Sequence, residues 1–276
     1  MKTIGIIDYY ISEWHANNYP GWIEEANARL GTDYRVGYVY AELDVSPKDG
    51  VTTDQWCEAH GALRCETIGE LCEKSDVVMI LAPSDPEKHL AYVKEAFPWG
   101  KRTYIDKTFA PDLRTAEQIF ALGKEYGTPF FSTSALRYAE ETEGFLGAEH
   151  LIVTGGGSNL PEYIVHQLEM VVKIQGMQSA WVNVTAQGDQ RIAALAGVDG
   201  TGAPKTATLV YAPSLPFTLC GEDPAGKSRY KAVKSAFFPE LLADVLRFYE
   251  TGEASFDPAE TLAVMRLRDA VLTACK

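Results

Sequence analysis

The sequence predicts an α/β protein in two parts: a Rossmann-like, doubly wound parallel sheet, followed by an α+β domain with an antiparallel sheet. Two observations predict this fold class. In the first half, short apolar strands alternate with amphipathic helices, as in a parallel sheet covered on both faces. In the second half, consecutive strand-like runs are separated by turns, which indicates antiparallel pairing. The 276 residues suit two modest domains, which we place at 1–134 and 135–276.

The first domain is predicted from apolar, β-branched runs with helical segments between them. The strands are expected at 3–7, 35–40, 76–82, 102–105 and 129–133. The helices are expected at 20–30, 53–60, 67–74, 86–97 and 112–126. The first of these begins at Pro20, a residue suited to a first helical turn, and stops at Gly31.

The second domain opens with a GGGS loop at 155–158. A helix is predicted from Pro161 to about Gln175. Strands are then predicted at 180–186, 206–212 and 216–220, and two closing helices at 237–249 and 258–274.

Charge and cysteine content narrow the function classes. The chain has 25 Lys and Arg against 38 Asp and Glu, a net charge of −13, so nucleic acids and anionic membranes are not expected partners. The start, MKTIGIIDYYISEW, is too short and polar for a signal peptide, and no run reaches the length of a membrane span. The five cysteines form no CxxC pair, which predicts reduced thiols, a cytoplasmic location and no zinc site.

Three motifs lie where ligands bind in such folds. Asp-Lys-Thr at 106–108 follows the strand predicted at 102–105, SALRYA at 134–139 follows the strand predicted at 129–133, and Glu162 and His166 share a predicted helix. With the closing segment FYETGEASFDPAETLAVMRLRDAVLTA, these motifs resemble the Gfo/Idh/MocA oxidoreductase family, whose counterparts read Glu-Lys-Pro, Asn-x-Arg-Phe and Asp-x-x-x-His. The resemblance spans most of the chain. It implies an enzyme that transfers hydride between NAD or NADP and a sugar, polyol or related hydroxy compound, and a homo-oligomer formed through the C-terminal sheet.

The resemblance also implies catalytic roles for three side chains. Lys107 would steady the developing alkoxide, and His166 would exchange the hydroxyl proton. Glu162, four residues earlier on the same helix face, would orient the imidazole.

Two further side chains are candidates for substrate contact. Arg137 follows the strand predicted at 129–133, where it would clamp a substrate anion or instead pair with the acidic run at 140–141. His15, with Trp14 and Tyr19, would line the same cleft or serve only in packing.

The loop after the first strand departs from the pattern of dinucleotide-binding folds. Such folds place GxGxxG there, so that backbone approaches the pyrophosphate, whereas this loop reads DYYISE at 8–13. The expected cofactor contacts are nevertheless Asp8, Tyr10, Ile11, Glu42, Pro83 and Lys107. Two alternatives stay open: a non-catalytic sensor or regulatory protein, and an enzyme of this fold that works without nicotinamide.

Three other patterns receive ordinary interpretations. GEDPAGKS at 221–228 matches the phosphate-binding pattern GxxxxGK followed by Ser or Thr, but it follows antiparallel strands, so we interpret it as a hairpin tip. The GGGS loop is either an anion cradle or a helix entry capped by Ser158 or Asn159. His166 with Glu162 and Glu169 is an incomplete ligand set, so no metal is predicted.

Overall fold

A computed structural model describes residues 1–223 and 225–276 of the chain. It divides into two compact units. The first unit comprises Met1–Ser132 and Phe238–Asp257, and the second comprises Thr133–Phe237 and Pro258–Lys276. The chain therefore returns to the first unit near its end, a feature that the sequence prediction of two consecutive domains does not include.

The strands and helices follow the predicted alternation in the first half. The strands are β1 (Lys2–Asp8), β2 (Tyr34–Ala41), β3 (Leu63–Arg64), β4 (Val77–Ile80), β5 (Thr103–Ile105), β6 (Phe130–Ser132), β7 (His150–Gly155), β8 (Met177–Gln187), β9 (Gln190–Asp199), β10 (Pro204–Tyr211), β11 (Thr218–Glu222) and β12 (Ser228–Ala232). The helices are α1 (Trp14–Leu30), α2 (Thr53–His60), α3 (Ile68–Lys74), α4 (His89–Ala96), α5 (Leu113–Tyr126), α6 (Leu160–Gln175), α7 (Phe237–Thr251) and α8 (Ala259–Ala274). In the described part of the chain, no helix has the length and apolar character that crossing a membrane requires.

The first unit contains a parallel six-stranded sheet in the order β3-β2-β1-β4-β5-β6. Strands β4 and β5 are buried along their whole length, which requires cover on both faces of the sheet. The strand order reverses between β1 and β4, and ligands of open α/β sheets bind outside the carboxyl ends of the strands at such a point. The predicted doubly wound, Rossmann-like sheet is therefore confirmed.

The start of α1 differs from the sequence prediction. Pro20 lies inside the helix, which begins six residues earlier, at Trp14. Glu13 caps this N-terminus with its carboxylate, and Gly31 ends the helix in a left-handed conformation, as predicted. The prediction of the start was wrong because it relied on proline, while an acidic cap outside the usual Ser, Thr, Asp and Asn set determines it.

Helix α7 belongs to the first unit, although it comes late in the chain. The ring of Phe248 packs on that of Phe131, with centroids 4.9 Å apart. The hydroxyl of Tyr249 donates to the carbonyl of Val78 in β4 at 2.7 Å. These contacts attach the helix to the sheet formed by the first half of the chain.

The second unit contains a six-stranded sheet in the order β12-β11-β7-β10-β9-β8. Its neighbours are antiparallel except β7 and β10, which run parallel, so the sheet is mixed. The expectation of a purely antiparallel sheet is corrected at this pair. Parallel neighbours need a crossover connection, and α6, which follows β7, begins the one that leads to β10.

Alternation along these strands separates a core face from an open face. Leu151, Val153, Leu195 and Leu209 are buried in a cluster with apolar side chains of α6 and α8. The intervening positions of the same strands are exposed or half-buried. One face of this sheet therefore packs against helices, and the other is accessible.

The segment at 221–228 is the hairpin tip that we predicted. Strands β11 and β12 pair antiparallel on either side of it. Asp223 accepts the backbone N–H groups of Ala225 and Lys227 through its own carboxylate, at 3.0 and 2.9 Å. Pro224, which is part of the motif, lies outside the described residues.

Candidate functional site

Asp106 is the centre of a buried polar cluster at the carboxyl end of β5. Its Oδ2 contacts Nδ1 of His15. Its Oδ1 accepts the hydroxyl of Tyr104 at 3.0 Å, the hydroxyl of Tyr19 at 3.3 Å and the backbone N–H of Lys107 at 2.9 Å. Helix α1 supplies His15 and Tyr19, so the cluster joins α1 to the loop that carries the predicted catalytic lysine.

The electrostatics of this cluster favour an ionised Asp106. Burial by itself raises the pKa of the carboxyl, but the nearby charge and hydrogen bond of His15 outweigh it and hold the pKa below its usual range. The hydroxyl of Tyr19 responds in the opposite sense, because burial and the negative charge of Asp106 raise its pKa well above the ordinary value. Tyr19 therefore stays a neutral hydrogen-bond donor.

Lys107 lies directly after the end of β5 and is 8% exposed. Its Nζ donates to the carbonyl of Pro83, which follows β4, at 3.3 Å. The Lys107–Thr108 peptide bond is cis. The structure thus brings together Lys107, Pro83 and Asp106 at the carboxyl edge of one sheet.

Glu13 occupies the N-terminus of α1. Its Oε2 accepts the N–H of His15 at 2.8 Å, and its Oε1 accepts the N–H of Ala16 at 2.5 Å. These are the donors that a helix N-terminus offers to a bound anion. Burial raises the pKa of Glu13, although the charge of His15 and the two N–H bonds oppose this rise.

Asp8 ends β1 and is almost completely buried. Its Oδ1 accepts the N–H groups of Tyr9 at 2.7 Å and Ala82 at 3.0 Å. Ala82 has φ of +48°, a left-handed conformation that costs a non-glycine residue energy and is typical of functional sites. Among the described residues, Asp8 Oδ2 has no hydrogen-bond partner, and burial together with the charge of Glu13 raises the pKa of Asp8 well above normal.

The turn between β1 and α1, as it stands, does not fit the pyrophosphate of a dinucleotide. The N–H donors at the start of α1 are taken by Glu13, and Asp8 adds a second acid beside it. Glu42, the expected ribose contact after β2, accepts Nζ of Lys88 at 2.5 Å and the hydroxyl of Tyr92 at 2.8 Å. Protein groups thus hold each of the acidic side chains expected to contact a cofactor here.

Two other expected cofactor contacts are buried in the same loop. Tyr10 is 7% exposed and Ile11 is 1% exposed. Ile11 accepts the N–H of Glu13 through its carbonyl at 2.9 Å, which closes a tight turn before the helix. In this structure Ile11 therefore shapes the loop, and its side chain is part of the core.

In the second unit, His166 contacts Ser134. Nδ1 of His166 and Oγ of Ser134 are 2.6 Å apart, and the same hydroxyl oxygen accepts the N–H of Leu136 at 3.2 Å. Glu162, predicted to orient His166, accepts the side-chain amide of Asn159 at 3.0 Å, while its own N–H donates to Asn159 at 2.9 Å. Ser134 is therefore a partner of His166 that sequence reasoning missed.

Glu169 connects Ser134 to a buried ion pair. It accepts the hydroxyl of Thr133 at 2.8 Å, the N–H of Ser134 at 3.3 Å and the guanidinium of Arg137 at 3.0 Å. Arg137 also pairs with Glu260, so α6 and α8 each supply it with a carboxylate partner. Burial raises the pKa of Glu169 even though Arg137 opposes the shift.

His89 is another residue that sequence reasoning missed. It is fully buried, and its Nδ1 and Nε2 contact the carbonyls of Phe109 and Leu81 at 3.0 and 2.5 Å. His89 therefore joins two segments: the loop after β5, which carries Lys107, and the segment after β4, which carries Pro83. Its position at the start of α4 gave no signal, because nothing in the sequence shows which carbonyls a helix start will face.

The GGGS loop is shaped by close packing. A Cβ at Gly156 would lie 2.0 Å from the carbonyl oxygen of Ala212, and a Cβ at Gly155 would meet the ring of Phe217 at 2.3 Å. Asn159 caps α6 by accepting the N–H of Glu162. Of the two interpretations, the capped helix entry is confirmed. In the described ranges, no group of three or more His, Cys, Asp or Glu side chains is arranged to hold a metal ion.

Comparison with known proteins gives one short sequence match. No protein-family model matches the chain. An uncharacterized oxidoreductase of Escherichia coli K12, YhhX, is 32% identical over 66 residues, which are 23% of this chain and 19% of that protein. A match over so small a part of the relative leaves the activity of the whole protein to be proposed.

Solved structures match along nearly the whole chain. UDP-N-acetylglucosamine 3-dehydrogenase GnnA from Acidithiobacillus ferrooxidans has a TM-score of 0.72 at 14% identity, covering 99% of this chain and 97% of that one. Biliverdin reductase from Synechocystis, solved with biliverdin and NADP+, has 0.69 at 12%, covering 99% and 98%. The dehydrogenase MviM from Clostridium difficile has 0.71 at 11%, covering 99% of both chains. The chain therefore has the fold of the Gfo/Idh/MocA-type dehydrogenases, as its motifs predict.

Proposed function

We propose that the protein is an oxidoreductase that acts on the CH–OH group of a sugar, polyol or related hydroxy compound, with NAD or NADP as its redox partner. The observation that supports this most directly is Lys107, a nearly buried cation at the carboxyl end of β5. This edge of a doubly wound sheet is where ligands bind. The dehydrogenases and the NADP+-bound reductase that share the fold support the same reaction class.

Two side chains carry the proposed chemistry, Lys107 and His166. The ammonium of Lys107 donates to the substrate oxygen as it becomes an alkoxide, and the carbonyl of Pro83 holds this ammonium in place. The imidazole of His166 exchanges the hydroxyl proton. Ser134, which contacts Nδ1, fixes the orientation of the ring. Glu162 lies one turn before His166 on the same helix and donates its N–H to Asn159, the residue that caps this helix.

The second candidate is an enzyme or sensor of this fold that uses no nicotinamide. One specific observation favours it: the carboxylate of Glu13 fills the N-terminus of α1, where a pyrophosphate docks in dinucleotide-binding folds. This candidate keeps Lys107 and His166 as ligand contacts and predicts ligand binding without consumption of NAD or NADP.

Calorimetric titration of the purified protein with NADH and NADPH at low salt separates the two candidates. Binding in the micromolar range, followed by dehydrogenase activity on a panel of sugars and polyols, supports the oxidoreductase. A protein that binds neither cofactor would contradict the first proposal and favour the second. The fold of each preparation is checked by thermal melting, so that loss of structure is not mistaken for loss of binding.

We further propose that the protein forms a homo-oligomer through the open face of the second sheet. Trp181, Ile192 and Ile152 on this face are 69%, 40% and 45% exposed. The exposed and half-buried open-face positions of β7 to β10 carry no Asp, Glu, Lys or Arg; they are His150, Ile152, Thr154, Ser179, Trp181, Asn183, Thr185, Gln187, Gln190, Ile192, Ala194, Ala196, Val198, Pro204, Thr206, Thr208 and Val210. In a chain of net charge −13, a face whose four neighbouring strands carry no acidic side chain and several exposed apolar ones is where a second copy meets least repulsion.

A further inference from the structure

The start of α1 is already bound to an anion, the carboxylate of Glu13. Two of its N–H groups, those of His15 and Ala16, donate to this carboxylate at 2.8 and 2.5 Å. The N–H of Asn17 continues into the helix by donating to the carbonyl of Glu13. A phosphate that docks here needs the same donors, so it must first displace the side chain.

A second acid at the same turn has an unsatisfied oxygen. Asp8 is 1% exposed, and its Oδ2 has no hydrogen-bond partner in the described part of the chain. Its other oxygen is held by the N–H groups of Tyr9 and Ala82. Burial raises the pKa of Asp8, and the negative charge of Glu13 raises it further. The turn therefore holds two acids where a dinucleotide-binding fold places backbone donors and glycine.

We propose that Glu13 determines what this turn accepts, because its carboxylate stands in the position of a dinucleotide's pyrophosphate and competes with phosphate groups for the N–H donors of α1. The inference rests on the proposed function, since it concerns how NAD or NADP enters the site. It makes Glu13 a specificity-determining residue that weakens phosphate-bearing ligands relative to phosphate-free ones.

The groups that face Glu13 act in both directions. The charge of Asp106 opposes an anion at Glu13 and the charge of His15 favours one, while the pKa of Asp8 is itself raised by the charge of Glu13. Replacing Glu13 with serine removes one negative charge and leaves a hydroxyl that caps the helix. The serine hydroxyl accepts one of the two N–H groups that the carboxylate held, so the other becomes available to a phosphate.

The test is a calorimetric titration with two probes. ADP-ribose carries the pyrophosphate and both riboses without the nicotinamide, and adenosine carries no phosphate. The proteins are wild type, Glu13→Ser, Glu13→Gln and the control Glu24→Gln, which removes an equal charge from an exposed position of the same helix. Glu13→Ser is expected to bind ADP-ribose at least about tenfold more tightly than wild type, the range of a charged hydrogen bond, with adenosine binding unchanged.

Each outcome decides the inference. Glu13→Gln is expected to show a smaller gain in affinity for ADP-ribose, because its amide oxygen still caps the helix without the charge. If the serine variant does not fold, the glutamine variant is compared with wild type in its place. Equal affinity of wild type and both variants for ADP-ribose would overturn the role of Glu13 while leaving the cofactor proposal intact. Absence of binding of ADP-ribose, NADH and NADPH to all four proteins would overturn both.

Discussion

Asp106 and His15 are 91 residues apart in the chain, yet Oδ2 of Asp106 contacts Nδ1 of His15 in the interior of the first unit. This contact joins the start of α1 to the loop after β5. The neighbouring N–H of Lys107 donates to the same carboxylate, so the position of the lysine depends on a residue of the first helix.

Asp106→Asn is expected to destabilise the protein by about 3 kcal/mol, because it removes one partner of a buried charged pair. Urea unfolding followed by fluorescence measures the change. Asp54→Asn, which alters a 74% exposed side chain, is the control and should stay within about 0.5 kcal/mol of wild type. A loss below about 1 kcal/mol for Asp106→Asn would mean that the contact with His15 contributes little.

Lys107→Ala is expected to lower kcat by about 100-fold or more on any substrate that the protein turns over, because a positioned charge that stabilises an alkoxide is lost. The unfolding temperature should stay close to that of wild type. Steady-state kinetics with the matched variant Lys124→Ala, which changes an exposed lysine of α5, serves as the comparison. Unchanged turnover would remove Lys107 from the mechanism.

Ser134→Ala is expected to reduce kcat by about tenfold with little change in KM, since the imidazole of His166 loses the hydroxyl that orients it. The pH profile of kcat should shift at the same time, which a purely structural role would not produce. Ser134→Thr restores a hydroxyl and should recover most of the activity, while His166→Ala should lose about 100-fold or more. If Ser134→Ala changed neither kcat nor its pH profile, the serine would not be needed for the function of His166.

Asp8 and Glu13 are expected to contribute stability that is lost as the pH rises above about 4, whereas His89, whose pKa is lowered by burial, contributes in the opposite sense. Burial raises the pKa of Asp8 and Glu13 in the folded state, so between their unfolded values near 4 and their folded values the folded protein binds more protons than the unfolded chain. Asp106 has a lowered pKa, and its contribution is lost only below about pH 4, outside this window.

Asp8→Asn tests this dependence, because the amide oxygen still accepts the N–H groups of Tyr9 and Ala82 but no longer titrates. Urea unfolding at pH 5, 6 and 7 should show the stability of Asp8→Asn rising relative to that of wild type as the pH increases. Asp54→Asn should keep the pH dependence of wild type. Parallel curves for Asp8→Asn and wild type would show that Asp8 does not change its proton occupancy on folding.

Trp181→Glu is expected to convert the proposed oligomer to a monomer, since it places a charge on β8, in the open face of the second sheet, at the most exposed of its large apolar side chains. Light scattering after size-exclusion chromatography measures the mass. Trp99→Glu, on a half-exposed tryptophan of the first unit, should leave the mass of the assembly unchanged. A wild-type monomer at working concentration would contradict the proposed association.

The linear pattern of the chain determined the fold class. Alternation of β-branched runs with amphipathic segments predicts a parallel sheet, because local periodicity reports which face each element buries. The ends of α2 and α5 follow from caps and glycines written in adjacent residues, at Thr52, Gly61, Asp112 and Gly127. The position of Lys107 after β5 could be predicted in the same way, because the motif at 106–108 directly follows the strand in the sequence.

Only the tertiary structure decided which distant groups meet. The contacts of Asp106 with His15 and of Ser134 with His166 join residues far apart in the chain, and no local pattern reports such a pair. The parallel pairing of β7 with β10 depends on the crossover that starts with α6, which strand patterns do not encode. The sequence showed that the loop at 8–13 lacks glycine, but folding alone put the carboxylate of Glu13 on the N–H groups of α1.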